Sequence, residues 1–242
     1  MSEKVNYPRW VIWRTVLRSV IRTLLWLLTD LRVVGLEHVP EKGPLILAMN
    51  HFHFADPAII IGVIPRHLEF IAGNHRPNAP LITRALPELY GVYTVHRGST
   101  SRRTMRETKA VLAQGGFVGI FPEGGAWATV LRPARPGTAY LAVSAESPIL
   151  PIGIDGMENL FKKWRPRITV QIGKPFGPFK TTGRGKQRRE QLAQIGDEMM
   201  QKIAEQLPEV VHGVFSADPD LRKSAEAVAD YPFDDLYEQG KR

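Results

Sequence analysis

The sequence predicts an α/β fold: a single domain with a mainly parallel mixed sheet flanked by helices, plus an N-terminal amphipathic interfacial helix. Three observations carry this. Short apolar runs of strand length alternate with stretches of helical period along most of the chain. Most runs close on Gly, Pro or a polar cluster. The 242 residues suffice for one large core, with no internal repeat or low-complexity linker to divide it. The expected organisation is a helix in 1–32, a body in 33–212 and a polar, acidic tail in 213–242.

The first element lies in residues 8–29. Arg14, Arg18 and Arg22 recur every four residues, beside Thr15, Ser19 and Thr23, and so fill one side of a helix. Trp10, Trp13, Trp26 and a run of Val, Ile and Leu cover the rest. This is the pattern of an interfacial membrane segment. A spanning helix needs roughly 20 apolar residues without spaced arginines. A signal peptide needs an uncharged core and a small-residue cleavage site. The competing reading is a helix packed on the protein's own core.

The remaining elements follow in order. Val33–Val39 reads as a short strand and turn, and Pro44–Met49 as a strand. A polar loop follows, and Pro57 opens an apolar helix that runs to Ile64. Leu68–Ile71 and Val92–Val95 are strands. The three prolines in 73–90 indicate loop and short helix. Ser101–Gln114 is a helix stopped by Gly115-Gly116. Phe117–Phe121 is a buried strand, Gly137–Ala145 a small-residue helix, and Ile149–Ile154 and Ile168–Ile172 strands. Arg188–Leu207 is an amphipathic helix with Leu192, Ile195, Met199, Ile203 and Leu207 on one face. Residues 216–242 are polar and aperiodic, a tail or a late-docking strap.

Composition narrows the chemistry. No cysteine is present, which excludes disulfides, zinc–thiolate sites and a cysteine acyl-enzyme. The net charge of +8 is unevenly spread: residues 1–189 hold 27 Lys and Arg against 12 Asp and Glu, and residues 190–242 hold 5 against 12. A basic body suits an anionic partner such as a membrane surface or a phosphate-bearing substrate. The basic groups are interrupted and no nucleic-acid motif occurs, so no nucleic-acid partner is expected.

Three pieces sit just after predicted strands: Asn50-His51 to Asp56, His96-Arg97-Gly98, and Phe121-Pro122-Glu123-Gly124. Sites in open α/β sheets gather at the carboxyl ends of strands, so these pieces can converge. Histidine takes and returns a proton near neutral pH, and a nearby carboxylate holds one imidazole tautomer. In this order the pieces resemble the glycerolipid acyltransferase family, which includes the PlsC-like 1-acylglycerol-3-phosphate O-acyltransferases. Asn50-His51-x4-Asp56 matches the first block of that family. Gly91–Arg97 is similar to the second, which ends in a substrate-binding arginine. Phe121-Pro122-Glu123-Gly124 matches the third, and Leu150-Pro151-Ile152 the fourth. The resemblance covers about residues 35–175.

It implies transfer of an acyl group from a thioester, acyl-CoA or acyl-carrier protein, to the hydroxyl of a lysophospholipid. His51 is then the base and Asp56 its orienter. Asn50, Arg97, Glu123 and Gly124 fall in substrate-binding blocks, with Glu123 binding acceptor hydroxyls or bracing the loop. Backbone N–H groups of the following loop or helix start are candidates for the oxyanion donors. The absence of cysteine and of a G-x-S-x-G elbow fits direct transfer. The third block departs from the family, continuing Gly125-Ala126-Trp127 where Thr-Arg-Ser is usual. Arg97, Arg132 or Arg135 is then left to bind the acceptor's phosphate, or the acceptor differs. No cofactor and no metal are implied. The expected location is peripheral, on the cytoplasmic face of the cell membrane. Two other classes compete: a metallohydrolase using His51, His53 and Asp56, which lacks the further spaced histidines such sites need, and a non-catalytic basic membrane-binding module.

Overall fold

The computed structural model of this chain describes residues 5–73, 87–95, 102–126 and 128–229. Seven strands form one sheet: β1 (Asp30–Val34), β2 (Leu45–Met49), β3 (Leu68–Gly73), β4 (Tyr93–Val95), β5 (Phe117–Ile120), β6 (Ile149–Asp155) and β7 (Arg167–Ile172). Their order is β1-β7-β6-β2-β5-β3-β4. β2 to β6 all run parallel, β7 lies antiparallel to β6, and β1 pairs parallel with β7.

Among the described residues the helices of eight residues or more are α1 (Val11–Leu28), α2 (Asp56–Val63), α3 (Arg102–Ala113), α4 (Pro136–Ala145), α5 (Gly185–Ala204) and α6 (Pro219–Ala229). Central strand β2 is buried along its whole length because helices cover both faces of the sheet. Its side chains alternate between two core layers. Leu45, Leu47 and Met49 meet Ile59 and Ile60 of α2, with Leu17 and Leu25 of α1 beside them. Ile46 and Ala48 meet Val111 and Leu112 of α3, Leu141 of α4, and Met199 and Ile203 of α5. A period of two in the strand thus feeds two layers of helices.

Three expectations are corrected. The strand expected at the start of Val33–Val39 begins earlier, at Asp30, and ends at Val34, where Gly35 turns the chain with φ +79 and a Cβ would lie 2.1 Å from Ile172 O. The C-terminal segment is not wholly a tail. Asp218 accepts the Asp220 N–H at the start of α6, and Ala225 of that helix is buried. Its small apolar content hid it from periodicity; residues 230–242 lie outside the described residues. The third correction is the sidedness of α1. Arg14 points inward and is almost fully buried, while Ile12, Val16, Val20, Leu24 and Trp26 are exposed. Gly62 allows the docking of α1 on α2, since a Cβ there would lie 2.7 Å from Leu25 Cδ1.

Candidate active site

Because β2 and β5 are adjacent and parallel, the residues following each emerge side by side at one sheet edge. The His51 N–H, after β2, donates to Glu123 Oε1, after β5, at 2.9 Å. His51 Nδ1 lies 2.9 Å from Asp56 Oδ2. A carboxylate can only accept, so Nδ1 donates, and Nε2 carries the lone pair that can take a proton. The His51 ring stacks on Phe121, with centroids 4.1 Å apart. Asp56 is the first residue of α2, where the helix N-terminus favours a negative charge. Its Oδ2 also accepts the His53 N–H at 2.9 Å. The loop between strand and helix is thereby closed on the carboxylate that orients the histidine.

His53 has a different task. Its Nδ1 accepts the Ala55 N–H at 3.2 Å, which leaves that nitrogen without a proton. Burial pulls its pKa below the usual histidine value. Its ring packs near Phe54 and Phe161. Among the described residues no three His, Asp or Glu side chains converge as a metal-ligand set.

Glu123 is buried, and burial pushes its carboxyl up to about 7 against the opposing pull of the Arg132 guanidinium and of the His51 N–H. Arg132 Nε lies 3.3 Å from Glu123 Oε2, an ion pair without good hydrogen-bond alignment. Gly124 has φ +80, and a Cβ there would lie 3.2 Å from Arg135 Cγ, so the turn after Glu123 favours glycine at this position.

The structure places the other sequence candidates as follows. Asn50 was expected to bind substrate. Its side chain is instead buried, donating to Ile154 O at 2.9 Å and accepting the Ile154 N–H at 2.8 Å, so it ties the end of β2 to β6. Arg132 was a candidate phosphate ligand. It is also buried, against Glu123 and with Nη2 donating to Gly125 O at 2.6 Å, a bracing position. Arg135 is half-buried against Gly124 at the start of α4. Arg97 and Trp127 lie outside the described residues.

Sequence reading missed two features. Phe121 as the platform for His51 was inside the F-P-E-G motif but was read only as strand. Phe161 stands over Phe54 with centroids 6.0 Å apart, on a loop more than a hundred residues away; its signal was two aromatics among cations in Phe161-Lys162-Lys163-Trp164-Arg165.

Comparison with known proteins identifies the family. A family model described as acyltransferase matches residues 30–155, which run from β1 to β6. The chain is 30% identical over 152 residues to the 1-acyl-sn-glycerol-3-phosphate acyltransferase of Borreliella burgdorferi, covering 61% of this chain and 60% of that protein. The chain thus spans about three fifths of the length of that relative. The fold is similar to that of the 1-acyl-sn-glycerophosphate (LPA) acyltransferase PlsC from Thermotoga maritima. The TM-score is 0.53 at 22% identity, over 76% of this chain and 78% of that one. The family match takes in both halves of the His51–Glu123 contact and over half of the chain, and the protein belongs to the acyltransferase family.

Proposed function

We propose that the protein moves a fatty acyl group from a thioester, acyl-CoA or acyl-carrier protein, to the free hydroxyl of a lysophospholipid, with 1-acylglycerol-3-phosphate as the first acceptor to test. The observation that carries this reading is the His51–Asp56 pair held at the sheet edge by Glu123. His51 Nε2 takes the proton of the acceptor hydroxyl as its oxygen attacks the thioester carbon. The C–O bond forms, a tetrahedral oxyanion results, and its collapse breaks the C–S bond. The imidazolium returns the proton to the leaving thiolate, and Asp56 stabilises the imidazolium meanwhile. Arg97 and Arg135 remain as residues to hold the acceptor's phosphate, given that Arg132 is turned to Glu123.

The same reading places the protein peripherally on the cytoplasmic face of the cell membrane, where its acceptor and product reside. No described helix is long and apolar enough to cross a bilayer. The outward face of α1 supplies apolar area, and Trp26 is 71% exposed. On the β6–β7 loop, Phe161 and Trp164 (81% exposed) stand among Lys162, Lys163 and Arg165. That mixture of aromatic and basic groups suits an anionic interface.

The test is to incubate purified protein with labelled palmitoyl-CoA and a panel of lysolipids and to identify the product by mass. Phosphatidic acid is the expected product. His51→Ala should reduce the rate by about 10²–10⁴ while the fold is retained, and Asp56→Asn should follow it through loss of tautomer control. A His51→Ala protein with full activity overturns the reading. Turnover of a different lysolipid alone replaces only the acceptor.

A further inference from the structure

A cleft of about 260 Å³ lies between α1 and the turn that joins α2 to β3. Arg14, Arg18, Arg22, Arg66, His67 and Ser19 are in its lining, which contains no carboxylate. Two of the arginines are already engaged. Arg14 bonds Glu69 and the carbonyls of Tyr90 and Gly91. Arg66 donates to the carbonyls of Gly43 and Gly115 and lies over the Phe117 ring. Arg18 and Arg22 differ: neither makes a hydrogen bond or ion pair among the described residues, and the Nε of Arg18 is buried.

The local charge is out of balance. Arg14, Arg18, Arg22 and Arg66 all line the cleft, and Glu69, the carboxylate that Arg14 bonds, is shared with Arg9. Burial first, and the Arg22 charge next, hold Arg18 below the usual guanidinium range. Burial, and then the charges of Arg14 and Arg18, lower the His67 pKa in the same cleft. Like charges four residues apart on a helix repel unless an anion lies between them. A guanidinium fork matches the oxygens of a phosphate, and a water takes ~30 Å³, so the cleft has room for a phosphate group with part of its hydration.

We propose that this cleft is a phosphate-binding site separate from the His51–Asp56 site, in which Arg18 and Arg22 grip the phosphate of an anionic lipid headgroup or of a soluble phosphate compound. The two sites lie at opposite edges of the sheet. His51 follows the carboxyl end of β2, whereas His67 immediately precedes β3, which runs the same way. The eight residues of α2 separate them by about 12 Å of helical rise.

The experiment uses the full chain in two arms, at constant ionic strength. One titrates inorganic phosphate calorimetrically. The other measures flotation with phosphatidylcholine vesicles, with and without phosphatidic acid, so that only the increment due to phosphatidic acid is read. The test variant is R18Q/R22Q. The control R32Q/R189Q removes the same charge from exposed positions outside the cleft lining. Saturable phosphate binding or a phosphatidic-acid increment is expected in the wild type, weakened about tenfold in R18Q/R22Q and unchanged in the control. Phosphate binding without lipid identifies a soluble ligand; an increment without phosphate binding identifies a headgroup. The proposal is overturned if the wild type shows neither, or if test and control variants lose binding equally. Should R18Q/R22Q fail to fold, R18K/R22K is read instead, with a severalfold loss expected from a preserved charge without the fork.

Discussion

Two carboxylates touch His51 from different surroundings. Asp56 orients the ring from the start of a helix and accepts two N–H groups. Glu123 accepts the backbone N–H but is buried deeply enough to titrate at about 7. The folded state therefore holds the Glu123 proton more tightly than the unfolded chain does. Its contribution to stability is full below about pH 4.5 and is lost as the pH rises through about 7. Glu123→Gln keeps the acceptor for the His51 N–H and removes the titration. The melting temperature of Glu123→Gln minus that of the wild type should rise between pH 5 and pH 8. A flat difference across that window would show Glu123 ionised throughout.

At the scale of elements, α1 is held by a polar lock and an apolar seam. The lock is Glu69, 0% exposed, which accepts from Arg14 at 2.6 and 3.0 Å and from Arg9 at 2.5 Å. Its partners also bond the carbonyl of Gly91, two residues before β4, so the helix is latched to the strand leading towards Arg97. Breaking a buried pair leaves charge uncompensated, a cost of about 3–5 kcal/mol. Glu69→Gln leaves two arginines without their carboxylate and should lower unfolding free energy by about 3 kcal/mol in urea titration. The seam depends on Gly62, where a Cβ would displace the Leu25 Cδ1 methyl at 2.7 Å and crowd Ile21 Cγ2 at 3.2 Å. Gly62→Val should cost about 1–3 kcal/mol by overpacking and loosen α1 first, read as early hydrogen exchange in residues 11–28. Full protection there would show that the lock alone holds the helix.

Across the whole molecule, the apolar surface of α1 continues into the β6–β7 loop. Arg165 Nη2 reaches the carbonyls of Trp26 and Thr29 at 3.3 and 3.4 Å, joining the end of α1 to that loop. Phe161 of the same loop leans over Phe54 and His53, two residues from His51. A bilayer meeting Trp26 and Trp164 would therefore lie beside the mouth of the site. Trp26→Ser with Phe161→Ser and Trp164→Ser should weaken flotation with anionic vesicles and lower turnover of bilayer-embedded acceptor, with less effect on a soluble short-chain acceptor. Raised salt should weaken attachment only in part, because apolar contact is not screened. Equal flotation of wild type and variant would assign these aromatics to another purpose.

The α/β class, most strand positions and the His51–Asp56 pair were legible from residues alone, because each rests on short-range chemistry: period-two or continuous apolar runs, Gly and Pro stops, and a loop only six residues long. The meeting of His51 with Glu123 was legible only as an expectation, since it needs β2 and β5 to be neighbours, and strand order is not written in local pattern. The roles of Asn50, Arg132 and Arg14 were decided by tertiary structure. An amide, a guanidinium or a spaced arginine looks the same in sequence whether it faces a ligand or water or is buried against a partner. Burial removes the solvent and makes the partner obligatory: Ile154 for Asn50, Glu123 for Arg132 and Glu69 for Arg14. The repeat of arginines on α1 indicated a helix with two faces, but only the packing against α2 and Glu69 determined which face turned inward.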